Sequence, residues 1–201
     1  MKQTMRLAVG VAAISVAVFT AAGCSDDNND SSASSSSSAT MAESPASNSA
    51  GAQGQSVSLT AADGTPVTLT GPIAAKYNSA TEKQKTDLGK PKTGAEASGT
   101  SPNGVVFQQF DGGVITAKNA DAPAYITWGK IRDAWNLPRD ASGQPAPNGK
   151  GGSQGPLGTA TSDETEAGTV KTSTFEHGKI TWDSATDKVE VTVNGTVVPA
   201  S

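Results

Sequence analysis

The chain has 201 residues, of which 35% are hydrophobic and 4% aromatic, and its formal net charge is −4. So small an apolar fraction supports one modest core, not several domains. No basic run or aromatic-interleaved basic patch occurs, which argues against nucleic acid as a partner, and a single cysteine excludes an internal disulfide framework.

The amino terminus reads as a secretory signal. Lys2 and Arg6 precede an apolar run from Leu7 to Ala22 whose only polar breaks are Ser15 and Thr20, and small residues close it at Ala21-Ala-Gly-Cys24. The run is shorter than the roughly 20 apolar residues that a membrane span needs. Ala-Ala-Gly-Cys24 resembles a bacterial lipobox, which implies a signal peptide at residues 1–23, cleaved before Cys24, and an acylated Cys24. Buried acyl methylenes, each contributing about 0.8 kcal/mol, would then hold the mature protein on a membrane face. Loss of Lys2 and Arg6 leaves 13 basic residues against 19 acidic ones, a net charge near −6.

Residues 24–55 are Ser, Asp, Asn, Ala and Gly with hardly a large apolar side chain, including five serines from Ser34 to Ser38. Such a segment cannot bury enough surface to offset its ordering entropy, so it is read as a flexible tether. Structure is expected from residue 56 to 201 as one domain. It opens with Val57-Ser-Leu-Thr60 and Pro66-Val-Thr-Leu-Thr70 around Asp63-Gly64, a hairpin with Val and Leu on one face. It closes with Val189-Glu-Val-Thr-Val193 and Thr196-Val-Val198 around Asn194-Gly195, a second hairpin.

Between these hairpins the chain repeats itself. Gly71-Pro-Ile-Ala-Ala-Lys-Tyr77 predicts a short helix, with Thr70 at the cap position and Ile73 and Tyr77 on one face. Gly129-Lys-Ile-Arg-Asp-Ala-Trp135 repeats that frame 58 residues later. Leu88-Gly-Lys-Pro91 and Leu157-Gly-Thr-Ala160 follow, 69 apart, and then two hairpins: Gly104 to Thr116 and Gly168 to Trp182. Phe110 and Phe175, like Ile115 and Ile180, are 65 apart, so no gap falls inside the hairpin. The differing offsets place an insertion in the second copy, in the Pro/Gly/Asn-rich stretch from Gln144 to Gln154.

This order of landmarks resembles the LGFP repeat of envelope proteins in mycolic-acid-containing actinobacteria. Leu157-Gly-Thr-Ala-Thr-Ser-Asp-Glu164 is similar to the family's Leu-Gly-Phe-Pro-Thr-x-x-Glu, and Gly178-Lys-Ile-Thr-Trp182 to its Gly-x-Ile-Tyr-Trp. The resemblance covers about Gly71 to Asp183 and implies an α+β domain of two repeats, residues 71–128 and 129–183, each a short helix plus β-hairpin, bracketed by the terminal hairpins. So few repeat units would have to pack on each other to be stable. The resemblance also implies an accessory role on the cell wall and no catalytic residue.

The residues themselves agree with a non-enzymatic reading. His177 is the only histidine, falls in a turn, and lacks a nucleophile elbow, a His pair or a second cysteine around it. Glu176, Asp183 and Asp187 invite comparison with a glycosidase carboxylate pair, but the first copy offers Asp111 and Lys118 at the matching places and keeps no pair. Asp163-Glu164 and Glu166 read as a solvated acidic cluster; no metal or cofactor is expected. A polysaccharide binder would use flat rings. Trp135 and Tyr77 are assigned to the core, where each ring buries 150–250 Å², while Trp182 and Trp128 are the candidate glycan-binding residues.

The expectation is an extracytoplasmic protein, lipid-anchored to the cell membrane and facing the wall, whose partner is cell-wall polysaccharide or peptidoglycan. Two alternatives stand beside it: a protein-interaction module that localises or regulates a wall enzyme, marked by a flat apolar patch, and a small hydrolase, marked by His177 in a pocket with a hydroxyl and a carboxylate.

Overall fold

The computed structural model describes residues 54–201. The expected signal peptide, Cys24 and almost all of the expected tether lie outside the described residues. Strands β1 (Ser56–Thr60) and β2 (Pro66–Thr70) pair antiparallel as a two-stranded sheet, with Val57 opposite Leu69 and Leu59 opposite Val67. Their turn is closed by the Asp63 carboxylate, which accepts from the Thr65 N–H at 2.9 Å.

Helix α1 (Gly71–Ser79) follows without a linker. Thr70 stands at its N-cap, but its side chain makes no capping hydrogen bond, contrary to the sequence expectation. The reversal is made instead by Gly71 at φ +56°, in the left-handed region that glycine enters at little cost. Helix α2 (Glu82–Leu88) was not expected, because its sequence is charged throughout and buries only Leu88. A capping box nucleates it: the Thr81 hydroxyl accepts from the Gln84 N–H at 3.2 Å, and the Gln84 side chain accepts from the Thr81 N–H at 2.9 Å.

The first predicted hairpin is the centre of a four-stranded antiparallel sheet, β3 (Ser98–Thr100), β4 (Val106–Gln109), β5 (Gly113–Ala117) and β6 (Ala124–Trp128), in that order. Helix α3 (Gly129–Asn136) then leaves β6 through Gly129 at φ +53°, the same device as at Gly71. The second hairpin lies in a five-stranded sheet of β7 (Thr165–Ala167), β8 (Val170–Phe175), β9 (Gly178–Asp183), β10 (Lys188–Val193) and β11 (Thr196–Val198), ordered β11-β10-β9-β8-β7. The C-terminal hairpin is therefore not a separate bracket. Its β10 pairs with β9, Val191 opposite Ile180, as β6 pairs with β5, Ile126 opposite Ile115.

The offsets read from the sequence reappear as hydrogen bonds. The Leu88 carbonyl accepts from the Gly112 N–H at 2.8 Å, and the Leu157 carbonyl from the His177 N–H at 3.0 Å. Lys90 accepts from Asp111 and Thr159 from Glu176, both at 3.0 Å; the Lys92 N–H reaches Gln109 and the Thr161 N–H reaches Thr174, both at 2.9 Å. Each Leu-Gly segment is thus laid along its own hairpin, and Gly89 and Gly158 turn the chain there at φ +71° and +73°. Each helix packs its aromatic on that hairpin's Phe: Tyr77 stacks on Phe110 with centroids 5.8 Å apart, and Trp135 on Phe175 at 5.6 Å. Tyr77 is partly buried and Trp135 fully so, with its indole N–H donated to the Gly158 carbonyl at 2.9 Å.

Two apolar clusters follow, and they order the domain into layers. In the first, Ile73 and Ala74 of α1 meet Leu69 on one side and Phe110, Ile115 and Ile126 on the other. In the second, Ile131 and Trp135 of α3 meet Val114, Phe107 and Tyr125 from the opposite face of the first sheet, and Phe175, Ile180 and Val191 of the second sheet. Hairpin, α1, four-stranded sheet, α3 and five-stranded sheet are stacked in that order. This explains why every residue of β5 is buried, whereas the outer face of the last sheet carries Thr172, Thr174, Lys179, Thr181, Glu190 and Thr192, none of them buried. Their counterparts 65 residues earlier include Phe107, Val114 and Tyr125, so one face is an interface and its equivalent is an end. The outer face of β1–β2 is likewise Ser56, Ser58, Thr60, Thr68 and Thr70, all exposed.

Candidate functional site

Trp128 and Trp182 line the same cleft, of about 410 Å³. Trp128 is the last residue of β6, set immediately before the left-handed Gly129, and it packs against the first cluster with part of its ring exposed. Trp182 lies on the inner face of β9, packs against the second cluster, and is also partly exposed. The remaining lining comes from α2, with Lys83, Gln84 and Asp87, from Lys130 at the start of α3, and from Glu164, Glu166 and Lys171 beside Trp182. The cleft is a junction: the first unit contributes one ring and the second unit the other.

Trp182 is held on two sides. Its indole N–H donates to Asp187 Oδ1 at 2.9 Å, and Asp187 Oδ2 is 3.2 Å from Lys130 Nζ, which ties the β9–β10 turn to α3. The indole hydrogen bond, followed by the Lys130 ammonium, lowers the Asp187 pKa below its ordinary value, so it is a carboxylate at neutral pH. Lys171, opposite Trp182 on β8, sets its ammonium 5.6 Å from the ring centroid and also 3.3 Å from Glu164 and 3.8 Å from Glu166. On the facing side Lys83 pairs with Asp87 at 2.6 Å, one helical turn on, and that contact raises its pKa.

The acidic stretch is only in part the solvated cluster that its composition suggested: Glu166 is exposed, whereas Asp163 and Glu164 are engaged by other elements. Asp163 forms an ion pair with Lys76 of α1 and accepts from the Ile126 N–H at 2.9 Å, joining the second unit to the first. The Glu164 side chain is only 10% exposed, against Lys171. Nothing nearby in sequence signals the Asp163 partner, because Lys76 belongs to α1, and Lys171 meets Glu164 only through the β7–β8 pairing.

The remaining titratable residues are spread out. Glu176 pairs with Lys118 at 2.8 Å and accepts from the Thr159 N–H at 2.8 Å, and the Lys118 contact, followed by the Thr159 N–H, lowers its pKa. Asp183 closes a turn on Ala185 and Thr186, both at 3.0 Å. Glu176, Asp183 and Asp187 are therefore engaged in three unrelated hydrogen-bond sets. His177 is exposed and lines a hollow with Asp140, whose carboxylate is taken up by Ser142 and Gln144 at 2.7–3.0 Å. Another hollow, about 490 Å³ between β2 and β3–β4, offers one aromatic ring, Phe107.

The sequence profile of the LGFP repeat matches residues 88–138. The chain carries an LGFP repeat. The matched stretch runs from Leu88-Gly-Lys-Pro91 through β3–β6 to the end of α3, about a quarter of the chain. It contains Phe110, Trp128 and the left-handed Gly129, so one wall of the cleft lies within the repeat itself. LGFP repeats are associated with cell-wall-related proteins. No curated protein matches the chain.

Proposed function

We propose that the protein is a non-catalytic envelope lipoprotein of two LGFP-like repeats that holds cell-wall glycan in the Trp128–Trp182 cleft. The observation that carries this reading is the convergence of two partly exposed indoles from different units on one cleft. An indole presents a flat apolar face that covers the C–H face of a pyranose or furanose ring, and carboxylates and ammonium groups around it exchange hydrogen bonds with hydroxyls. The recurrence of the Leu-Gly hydrogen bonds and of the helix-to-Phe stacking supports a second, more divergent repeat over residues 129–183. An acylated Cys24 would place the domain at the membrane, with residues 24–55 giving it reach into the wall.

The test is retention of the full chain, in mild detergent, on insoluble mycolyl-arabinogalactan-peptidoglycan. The parent is expected in the pellet, with Trp128→Ala and Trp182→Ala moved to the supernatant while their thermal transitions remain cooperative. A parent that stays soluble in the presence of excess wall would sink the reading. Globomycin-sensitive processing in an actinobacterial host, with loss of membrane association in Cys24→Ser, tests the anchor separately.

A further inference from the structure

We infer that this cleft selects a neutral polysaccharide, built of uncharged sugars, over anionic or cationic polymers; the inference rests on the glycan reading of the same cleft. Every ammonium group lining it already has a carboxylate. Lys83 pairs with Asp87 at 2.6 Å, Lys130 with Asp187 at 3.2 Å, and Lys171 with Glu164 at 3.3 Å and Glu166 at 3.8 Å. An anionic ligand that accepts from one of these lysines stands beside the carboxylate already paired with it, and repulsion from that carboxylate offsets the attraction unless the lysine is taken from its partner. Taking Lys171 would strand Glu164, whose side chain is 10% exposed and poorly reached by water. Taking Lys130 would leave Asp187 Oδ2 without its ion pair, beside the oxygen that accepts from the Trp182 indole.

The same logic applies to a cation. Asp87 and Glu164 are engaged, Glu166 shares Lys171, and three carboxylates face three lysines along the lining, so no strong field of either sign fills the cleft. A sugar hydroxyl makes no such demand. It donates to a lone pair of a paired carboxylate and accepts from a spare N–H of a paired ammonium, leaving each ion pair in place. Charge here supplies hydrogen-bonding positions around two apolar rings, and the geometry suits a ligand that brings hydroxyls and no charge of its own.

The full chain in detergent is titrated by calorimetry with soluble arabinan and galactan, with polygalacturonate as the anionic polymer and chitosan oligomers as the cationic one. Each titration is run in about 0.02 M and about 0.5 M NaCl, between which the screening length falls several-fold. The expected result is saturable binding of at least one neutral polymer, with a Kd changing less than about twofold between the two salts, and charged polymers binding about tenfold more weakly or not at all. A charged polymer that binds more tightly than the neutral ones, or an affinity that falls about tenfold with salt, overturns the inference. If no soluble polymer binds yet the wall pellet still retains the chain, the neutral-polymer inference falls and wall association stands. If the wall pellet fails too, both fall.

Discussion

Trp182 donates its indole N–H to the Asp187 carboxylate at 2.9 Å, and Asp187 holds that position with a left-handed backbone, φ +53°. A non-glycine residue rarely adopts such a conformation. The β9–β10 turn therefore spends conformational energy to place one acceptor where it meets both Trp182 and Lys130.

The first prediction concerns that acceptor. Asp187→Ala is expected to free the Trp182 ring, broadening its indole signal and weakening wall retention, while Asp187→Asn, which keeps an oxygen acceptor, retains most binding. The pH dependence has a definite sign. The folded pKa of Asp187 is lowered, so its contribution is complete above the unfolded value of about 3.9 and is lost as pH falls through the folded value. Tryptophan emission is expected to change below about pH 3.9 in the parent and not in Asp187→Asn. A midpoint above pH 5 would contradict the assignment.

The second concerns the two motif leucines. Leu88 and Leu157 are 0% and 1% exposed and occupy equivalent places in the two clusters. Leu88→Ala and Leu157→Ala are each expected to cost about 2–5 kcal/mol in urea unfolding. A loss below 1 kcal/mol at either site would show that its cluster is not a packed core.

The third separates backbone strain from contact. Gly129 is at φ +53° with open space where a Cβ would stand, so Gly129→Ala has only the left-handed conformation to pay for, about 1–2 kcal/mol. Asn194, 65 residues on, is at φ +48° and opens a hairpin turn where Gly129 opens a helix. Asn194→Gly is expected to lie within about 0.5 kcal/mol of the parent, since Asn and Gly both tolerate this region. Differential scanning calorimetry of the two variants checks the contrast.

The fourth concerns Arg139, 2% exposed, whose guanidinium donates to the carbonyls of Gly143 at 2.9 Å, Pro199 at 2.6 Å and Ala200 at 3.2 Å. It anchors the C-terminal residues to the loop that follows α3. Arg139→Met is expected to cost about 1.5–3 kcal/mol and to expose the last residues to carboxypeptidase digestion. Unchanged digestion kinetics would contradict that anchoring role.

Much of this fold was legible because the residues that turn the chain are chemically distinctive. Gly71 and Gly129 before an aromatic helix, Leu88-Gly89 and Leu157-Gly158, and Phe110 and Phe175 recur with the spacing that the hydrogen bonds require. Helix α2 escaped because Glu-Lys-Gln-Lys-Thr-Asp has no apolar stripe; its one signal was the capping box Thr81-x-x-Gln84. Strands β3 and β7 escaped because Ser-Gly-Thr and Thr-Glu-Ala are exposed edge segments without hydrophobic alternation. Trp128 and Trp182 could be named as rings available to a sugar, but their meeting in one cleft depends on the stacking of two units around α3. The lysine partner of Asp163 comes from α1, beyond the reach of any local pattern, while that of Glu164 comes from β8 across a hairpin whose first strand, Thr-Glu-Ala, gave no strand signal.

The measurement that bears most directly on the glycan reading is a ¹⁵N–¹H spectrum of the three tryptophan indoles during titration with solubilised wall polysaccharide. The Trp135 indole is buried and bonded to the Gly158 carbonyl, so it serves as an internal control. The expected result is that the Trp128 and Trp182 signals move together and saturate at one midpoint while Trp135 stays in place. Three stationary signals, or a shift in Trp182 without Trp128, would contradict a binding cleft shared by the two units.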